Sequence, residues 1–273
     1  MIPKVIHYCW FSGEDFPPFI NNCINTWKKV LPEYRLHLWD SDSIKELVET
    51  VPFVREAYKA RKWAFVTDYV RLYALYTEGG IYMDTDVKVM RSFNEFLHYG
   101  FFTSHELQPR FYEKSQQEKI DVKGHPISKD VFIEGLGIQG AIMGAIKGHS
   151  FLRDCLDYYN HLTFDLDTHT TADYVIGKQI SRIAANSYGY RYTDEEQHLG
   201  SDMCIMKSDI IVGNMLYLKP YSYAIHLCNG SWVEGNKDLL WWLRNHHTII
   251  HSVIVPFVKI YQKMIRLFNS TRQ

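Results

Sequence analysis

The chain has little of what marks several large classes. Its five cysteines, Cys9, Cys23, Cys155, Cys204 and Cys228, are widely spaced and form no C-x-x-C pair. That pattern argues against a disulfide framework or zinc knuckle and favours small buried hydrophobes, with a reducing compartment as the default expectation. No stretch of about 20 apolar residues occurs, so no spanning helix is expected. The longest uncharged run near the C-terminus, Asn245 to Val258, is 14 residues and contains histidines, Ser252 and Pro256. No basic head precedes a long apolar stretch at the N-terminus, so no signal peptide is expected. The chain shows no internal repeat and no low-complexity segment. Charge of one sign is also missing, since 30 basic residues face 31 acidic ones, a formal net of −1. Near-neutrality argues against a nucleic-acid binder, which shows a basic excess.

What is present is apolar and aromatic. Of 273 residues, 46% are hydrophobic and 15% aromatic, enough for a large core and for surfaces that meet ligands or membrane interfaces. Val5 to Trp10 reads as a buried strand. Pro17-Pro18 opens a helix through Val30. Tyr34 to Trp39 reads as a second strand, and Ser43 with Glu46 fits a capping box ahead of a short helix to about Thr50. This alternation predicts an α/β architecture. Trp63 to Glu78 is the clearest helix, ended by Gly79-Gly80. Ile81-Tyr82-Met83 and Val87 to Met90 are short strands. Gln108 to Asp130 reads as a polar excursion, and Ile133 to Ile146 as a glycine-rich apolar segment. Phe151 to His161 and Thr170 to Ala185 read as helices. Late strands are predicted at Met203–Met206, Met215–Leu218 and Tyr223–Cys228.

Between two of these strands lies Asp84-Thr85-Asp86. Two carboxylates at i and i+2 of an extended segment project to one side. Hard divalent cations take such oxygen ligands together with a diphosphate. An isolated Asp-x-Asp usually marks a turn, but this one sits at a strand edge, where α/β sheets bind ligands. Asp68 and Arg71, three apart on the preceding helix, share a face with Leu72 and Leu75. On a surface such a pair contributes little. Beside a metal-site candidate, on a buried face, it reads as a ligand clamp.

The run Asp68-Tyr69-Val70-Arg71-Leu72-Tyr73-Ala74-Leu75-Tyr76, followed by Gly79-Gly80-Ile81-Tyr82-Met83-Asp84-Thr85-Asp86-Val87, resembles the DxD sugar-binding region of glycosyltransferase family 32. Ile2 to Trp10 is similar to that family's opening strand, Gly144 to His149 to its mid-domain segment, and Ala224-Ile225-His226 with Ser231-Trp232 to its closing element. The resemblance implies a GT-A fold, a Rossmann-like mixed sheet flanked by helices, over residues 1–236. It implies retaining, metal-dependent transfer from a nucleotide-diphosphate sugar, with uridine as the default base, in surface polysaccharide synthesis. The acceptor would be a glycan or a lipid-linked oligosaccharide. By position, Trp10 would stack on the donor base, Asp68 and Arg71 would hold sugar hydroxyls, and Tyr82 and Asp84 would touch ribose and sugar. Asp86 would bind Mn2+ or Mg2+, with Asp84 and His226 as further ligands. Ser231 and Trp232 would close over the β-phosphate. Glu134 and Gln139 lie in a segment that could approach the sugar, but neither maps to a catalytic position. A toxin-like protein glycosyltransferase and a nucleotide-sugar hydrolase without transfer are the alternatives.

From Lys237 onward six basic residues face Asp238 alone, a net of +5, which leaves −6 on residues 1–236. Trp241-Trp242, then Lys259, Lys263 and Arg266 beside a broad apolar face from Ile249 to Phe268, read as an amphipathic tail. Such a tail could dock on an anionic membrane, placing a cytoplasmic enzyme at the inner face of the plasma membrane. Packing on its own domain is the competing reading.

Overall fold

A computed structural model describes residues 1–228 apart from 110, 113, 130, 166, 168–173 and 214. The chain runs β1 (Val5–Cys9), α1 (Pro18–Val30), β2 (Arg35–Trp39), α2 (Lys45–Thr50), α3 (Pro52–Lys59), α4 (Trp63–Glu78), β3 (Gly80–Met83), β4 (Val87–Val89) and β5 (Phe101–Leu107). It continues through α5 (Lys114–Gln117), β6 (Leu136–Ile138), β7 (Ile142–Ala145), α6 (Ser150–Asn160), α7 (Ile176–Ser187), β8 (Gln197–Leu199), β9 (Met203–Met206), β10 (Ile211–Val212) and β11 (Ala224–His226).

The main sheet has the order β2-β1-β3-β7-β5-β9-β8, with β6 paired to the end of β5. β1 is parallel to both β2 and β3, while β7 runs antiparallel between β3 and β5. Strand alternation divides the core. Tyr82, Phe101, Met143 and Ile205 point to the face packed by α2, α3, α4, α6 and α7. Ile81, Met83, Phe102, Ile142 and Met206 point to the other face, which carries α1 and a second sheet of order β10-β11-β4. Both faces are covered, so the strands read as apolar runs. α1 fastens the small sheet. Trp27 Nε1 donates to Val87 O at 2.7 Å and Val89 N donates to Thr26 Oγ1 at 3.0 Å.

The expected mixed sheet and flanking helices are present, with local differences. The capping box does not form, because Ser43 Oγ turns back to donate to Asp40 O at 2.8 Å and α2 has no side-chain cap. Met215 to Tyr217 is a short 3-10 helix and not a strand. The helix expected from Thr170 begins, among the described residues, at Ile176. Several elements, among them α3, α5, β5, β8 and β10, have no counterpart in the sequence reading. α3 follows α2 after one residue, with Pro52 in its first turn. β5 is masked in the sequence by Thr103, Ser104 and His105, all fully buried. Each finds a partner. Thr103 Oγ1 donates to Ile142 O, Ser104 Oγ donates to Ile211 O, and the His105 ring bridges Tyr190 Oη and Glu195 O.

No helix among the described residues is long and apolar enough to cross a membrane. The amphipathic tail and the boundary at 236/237 lie outside the described residues.

Candidate active site

β1 has a parallel neighbour on each side, β2 reached through α1 and β3 reached through α4. Ligands of open α/β sheets bind at the carboxyl ends of strands around such a switch point. Trp10 follows β1 and Asp84 follows β3 at this edge. Gly79 ends α4 at φ +71°, and a Cβ there would lie 2.7 Å from Lys147 N. Only glycine makes that turn at low cost.

The chain leaves the main sheet across Asp84-Thr85-Asp86. Asp84 N donates to Ala141 O of the main sheet at 2.9 Å, and Val87 starts β4 of the small sheet. Antiparallel pairing places His226 of β11 opposite Val87, and Leu227 N donates to Asp86 O at 3.2 Å. Register therefore brings together residues 140 positions apart. His226 Nε2 lies 3.2 Å from Asp86 Oδ1 and 3.7 Å from Asp84 Oδ2. One ligand atom from each of the three falls within 4.8 Å of the others. All three side chains stay accessible, at 22% for Asp84, 14% for Asp86 and 20% for His226.

Behind them the arrangement is dry. Arg71 and Asp68 are each 5% exposed. Arg71 Nη2 donates to Asp68 Oδ1 at 2.8 Å, and Nη1 donates to Gly140 O at 2.7 Å while lying 3.4 Å from Asp84 Oδ1. Its guanidinium stands 4.7 Å above the Tyr82 ring. Tyr82, 1% exposed, donates its hydroxyl to Asp84 Oδ1 at 2.6 Å. Asp84 is thus gripped from the core by a phenol and a guanidinium. Burial pushes the Asp68 carboxyl up to about 7, with Arg71 opposing the rise. Burial works against the charge of Arg71, but Asp84, Tyr82 and Asp68 around it carry its pKa above the usual range. Enclosure opposes a charge on His226 as well, yet the Asp86 carboxylate holds its pKa well above the ordinary value. Two aspartates and one imidazole fit a divalent cation, and the imidazole suits Mn2+ better than Mg2+.

Trp10 is half-buried beside this edge. Its Nε1 donates to Glu14 O at 2.6 Å and its ring lies 5.0 Å from that of Phe16. Ser231 and Trp232 lie outside the described residues. Glu134 is exposed. Gln139 is buried at 1%, its Nε2 donating to Ile211 O at 3.1 Å, and its Oε1 has no hydrogen-bond partner. Two contributors escaped the sequence reading. The Gly140 carbonyl that accepts from Arg71 is backbone, so no residue type signals it. Cys228, whose Sγ lies 3.4 Å from His226 Nδ1, looks in sequence like any buried cysteine.

Residues 17–102 match the glycosyltransferase sugar-binding region containing the DXD motif. The match contains Asp68, Arg71, Tyr82, Asp84 and Asp86, and stops short of Trp10 and His226. The chain is 28% identical over 156 residues to inositol phosphoceramide mannosyltransferase 3 of Schizosaccharomyces pombe, covering 55% of this chain and 35% of the relative. It is 31% identical over 120 residues to the uncharacterized glycosyltransferase L373 of Acanthamoeba polyphaga mimivirus, covering 41% of this chain and 46% of that one. The chain therefore spans less than half the length of these curated relatives. Among solved structures, the PaToxG glycosyltransferase superposes with a TM-score of 0.48 at 16% identity, over 68% of this chain and 69% of that one. The galactosyltransferase LgtC, in complex with donor and acceptor sugar analogs, superposes with a TM-score of 0.46 at 12% identity, over 91% and 95%. The acidic motif lies at the switch point of a mixed sheet flanked by helices.

Proposed function

We propose, on the premise that residues 17–102 are a glycosyltransferase sugar-binding region containing the DXD motif, that this chain is a metal-dependent glycosyltransferase. It moves a sugar from a nucleotide-diphosphate donor, UDP-linked by default, to a glycan or lipid-linked acceptor with retention at the anomeric carbon. The observation that carries this reading is the convergence of Asp84, Asp86 and His226 within 4.8 Å at the switch point. Asp86, Asp84 and His226 hold Mn2+ or Mg2+, which when bound supplies Lewis-acid compensation for charge developing on the leaving diphosphate.

The remaining roles belong to side chains. Tyr82 and Arg71 hold Asp84 in place, so little reorganisation accompanies the reaction. Asp68 and Arg71 orient the sugar hydroxyls at the dry end of the site. Trp10 offers a ring at the carboxyl end of β1 for the donor base, and Ser231 and Trp232 close over the β-phosphate. A phosphoceramide in the name of the yeast relative supports a lipid-linked acceptor. The basic tail would bring the site to an anionic membrane that carries such an acceptor. Surface polysaccharide synthesis is the setting in which such transfer would serve.

A thermal-shift panel of UDP- and GDP-sugars with Mn2+ tests the donor, because ligand at 100 times its Kd raises stability by about 2.7 kcal/mol. Absence of a shift with every donor, or transfer undiminished in EDTA, would sink the proposal. Donor hydrolysis indifferent to every acceptor would replace it with a hydrolase.

A further inference from the structure

Cys228 stands two residues beyond the metal-facing histidine in an unusual conformation. Among the described residues only it and Arg61 combine a side chain with a positive φ, and for Cys228 that φ is +48°. A residue with a Cβ adopts this left-handed region at an energetic penalty, and such strain gathers at functional sites. Had β11 continued in extended form, the Cys228 side chain would lie about 6.5 Å along the strand from that of His226. The left-handed turn instead folds the thiol back onto the ring. Cys228 Sγ lies 3.4 Å from His226 Nδ1 and 3.5 Å from Gly213 O, just past the end of β10.

We propose that Cys228 is a positioning residue for the metal centre, one that holds the His226 ring so that Nε2 faces Asp84 and Asp86. The inference rests on the metal-dependent reading of the site. Its logic is directional. Two carbonyls, which can only accept, stand near the thiol, and the S–H donates to the nearer, Gly213 O at 3.5 Å against 3.7 Å for His226 O. The sulfur lone pairs then accept from His226 Nδ1–H. With Nδ1 carrying its proton toward sulfur, the remaining lone pair of the imidazole is on Nε2, on the side of the carboxylates. Histidines that bind metals commonly donate their second nitrogen to a carboxylate or carbonyl, and loss of that partner weakens metal binding about 10- to 100-fold. Sulfur is a weak acceptor, so the lower end of that range applies. The contact also ties β10 to β11 behind the site.

The test is Mn2+ titration of the full chain without donor, read by electron paramagnetic resonance of the free ion. Wild type is compared with Cys228→Ala, Cys228→Gly and Cys228→Ser. The Ala and Gly variants should bind Mn2+ about tenfold more weakly. Ser keeps a donor and an acceptor and should stay near wild type. Gly also relieves the left-handed turn, so its melting temperature should equal or exceed that of wild type, which separates a lost ring contact from a damaged fold. Ala and Gly variants that bind as tightly as wild type overturn the role of Cys228, and a Ser variant as weak as Ala overturns the hydrogen-bond account. A wild-type chain that binds no Mn2+ overturns the metal centre itself.

Discussion

His7, His37 and Glu78 gather where β1, β2 and the end of α4 meet, and Asp84, Asp86 and His226 gather where the two sheets meet. In both groups the ligand atoms fall within 4.8 Å of one another. The first has no imidazole to spare at His7. Trp39 Nε1, which can only donate, lies 3.1 Å from His7 Nδ1, so Nε2 carries the proton and donates to Gly79 O at 2.8 Å. His37 stacks on Trp39 with ring centroids 5.0 Å apart and lies 3.1 Å from Glu78 Oε2. His7 is fully buried, and burial lowers its pKa. His226 is reachable by solvent, faces carboxylates, and has its pKa moved the other way. Proximity of ligand types is therefore a poor criterion by itself. Which lone pairs the fold leaves uncommitted decides between a staple and a site.

The largest expected effect breaks the second cluster. Asp86→Ala should lower Mn2+-dependent turnover about 1,000-fold, the rate equivalent of several kcal/mol of lost Lewis-acid assistance. Its melting curve should stay near that of wild type. Turnover that survives in this variant with EDTA present refutes the assignment. Arg71→Lys acts on the buried support behind Asp84. Lysine lacks the planar fork that reaches Asp68, Gly140 and Asp84 together, so stability should fall by about 3 kcal/mol in urea titrations and turnover should fall with it.

A paired experiment sharpens the contrast. His226→Gln should weaken Mn2+ binding about 10- to 100-fold with little change in stability. His7→Gln should do the reverse, losing about 1–3 kcal/mol as Trp39 and Gly79 groups lose their buried partner, with Mn2+ affinity unchanged. Equal effects of both on Mn2+ would erase the distinction drawn between the clusters. The smallest effect is in pH dependence. Because the folded pKa of His7 lies below its ordinary value of 6.5, the unfolded chain binds the proton first on acidification. The stability contributed by neutral His7 is complete above about pH 6.5 and is lost as pH falls through its lowered folded value. Urea midpoints between pH 7.5 and 5.5 should fall less steeply in His7→Gln than in wild type.

Part of this was legible residue by residue. The helix Trp63–Glu78, its glycine stop and the acidic tripeptide between two strands stand in the sequence because their determinants are local: period, propensity and backbone freedom. β5 was not legible, since three consecutive buried polar side chains hide a central strand until their partners on neighbouring strands are known. The failed capping box has a similar cause, as Asp40 outcompetes the helix terminus for Ser43. That β3 and β4 belong to different sheets also escaped local reading, though it is what turns Asp84-Thr85-Asp86 into a corner.

By itself the sequence determined the chemical inventory: two carboxylates two residues apart after a glycine-stopped helix, an Asp–Arg pair on that helix's apolar face, and too little basic excess for nucleic acid. Tertiary structure alone decided the geometry. The pairing of β11 with β4 carries His226 to Asp86, the packing of α4 drives Arg71 under Asp84, and a left-handed turn aims Cys228 at the far side of the imidazole. The first two join residues 140 and 13 positions apart, and the third is a local turn that also reaches Gly213, 15 positions back. Their energies depend on register and burial, which no local pattern encodes, and so the candidate ligands could be named from sequence while the orientation that brings them together could not.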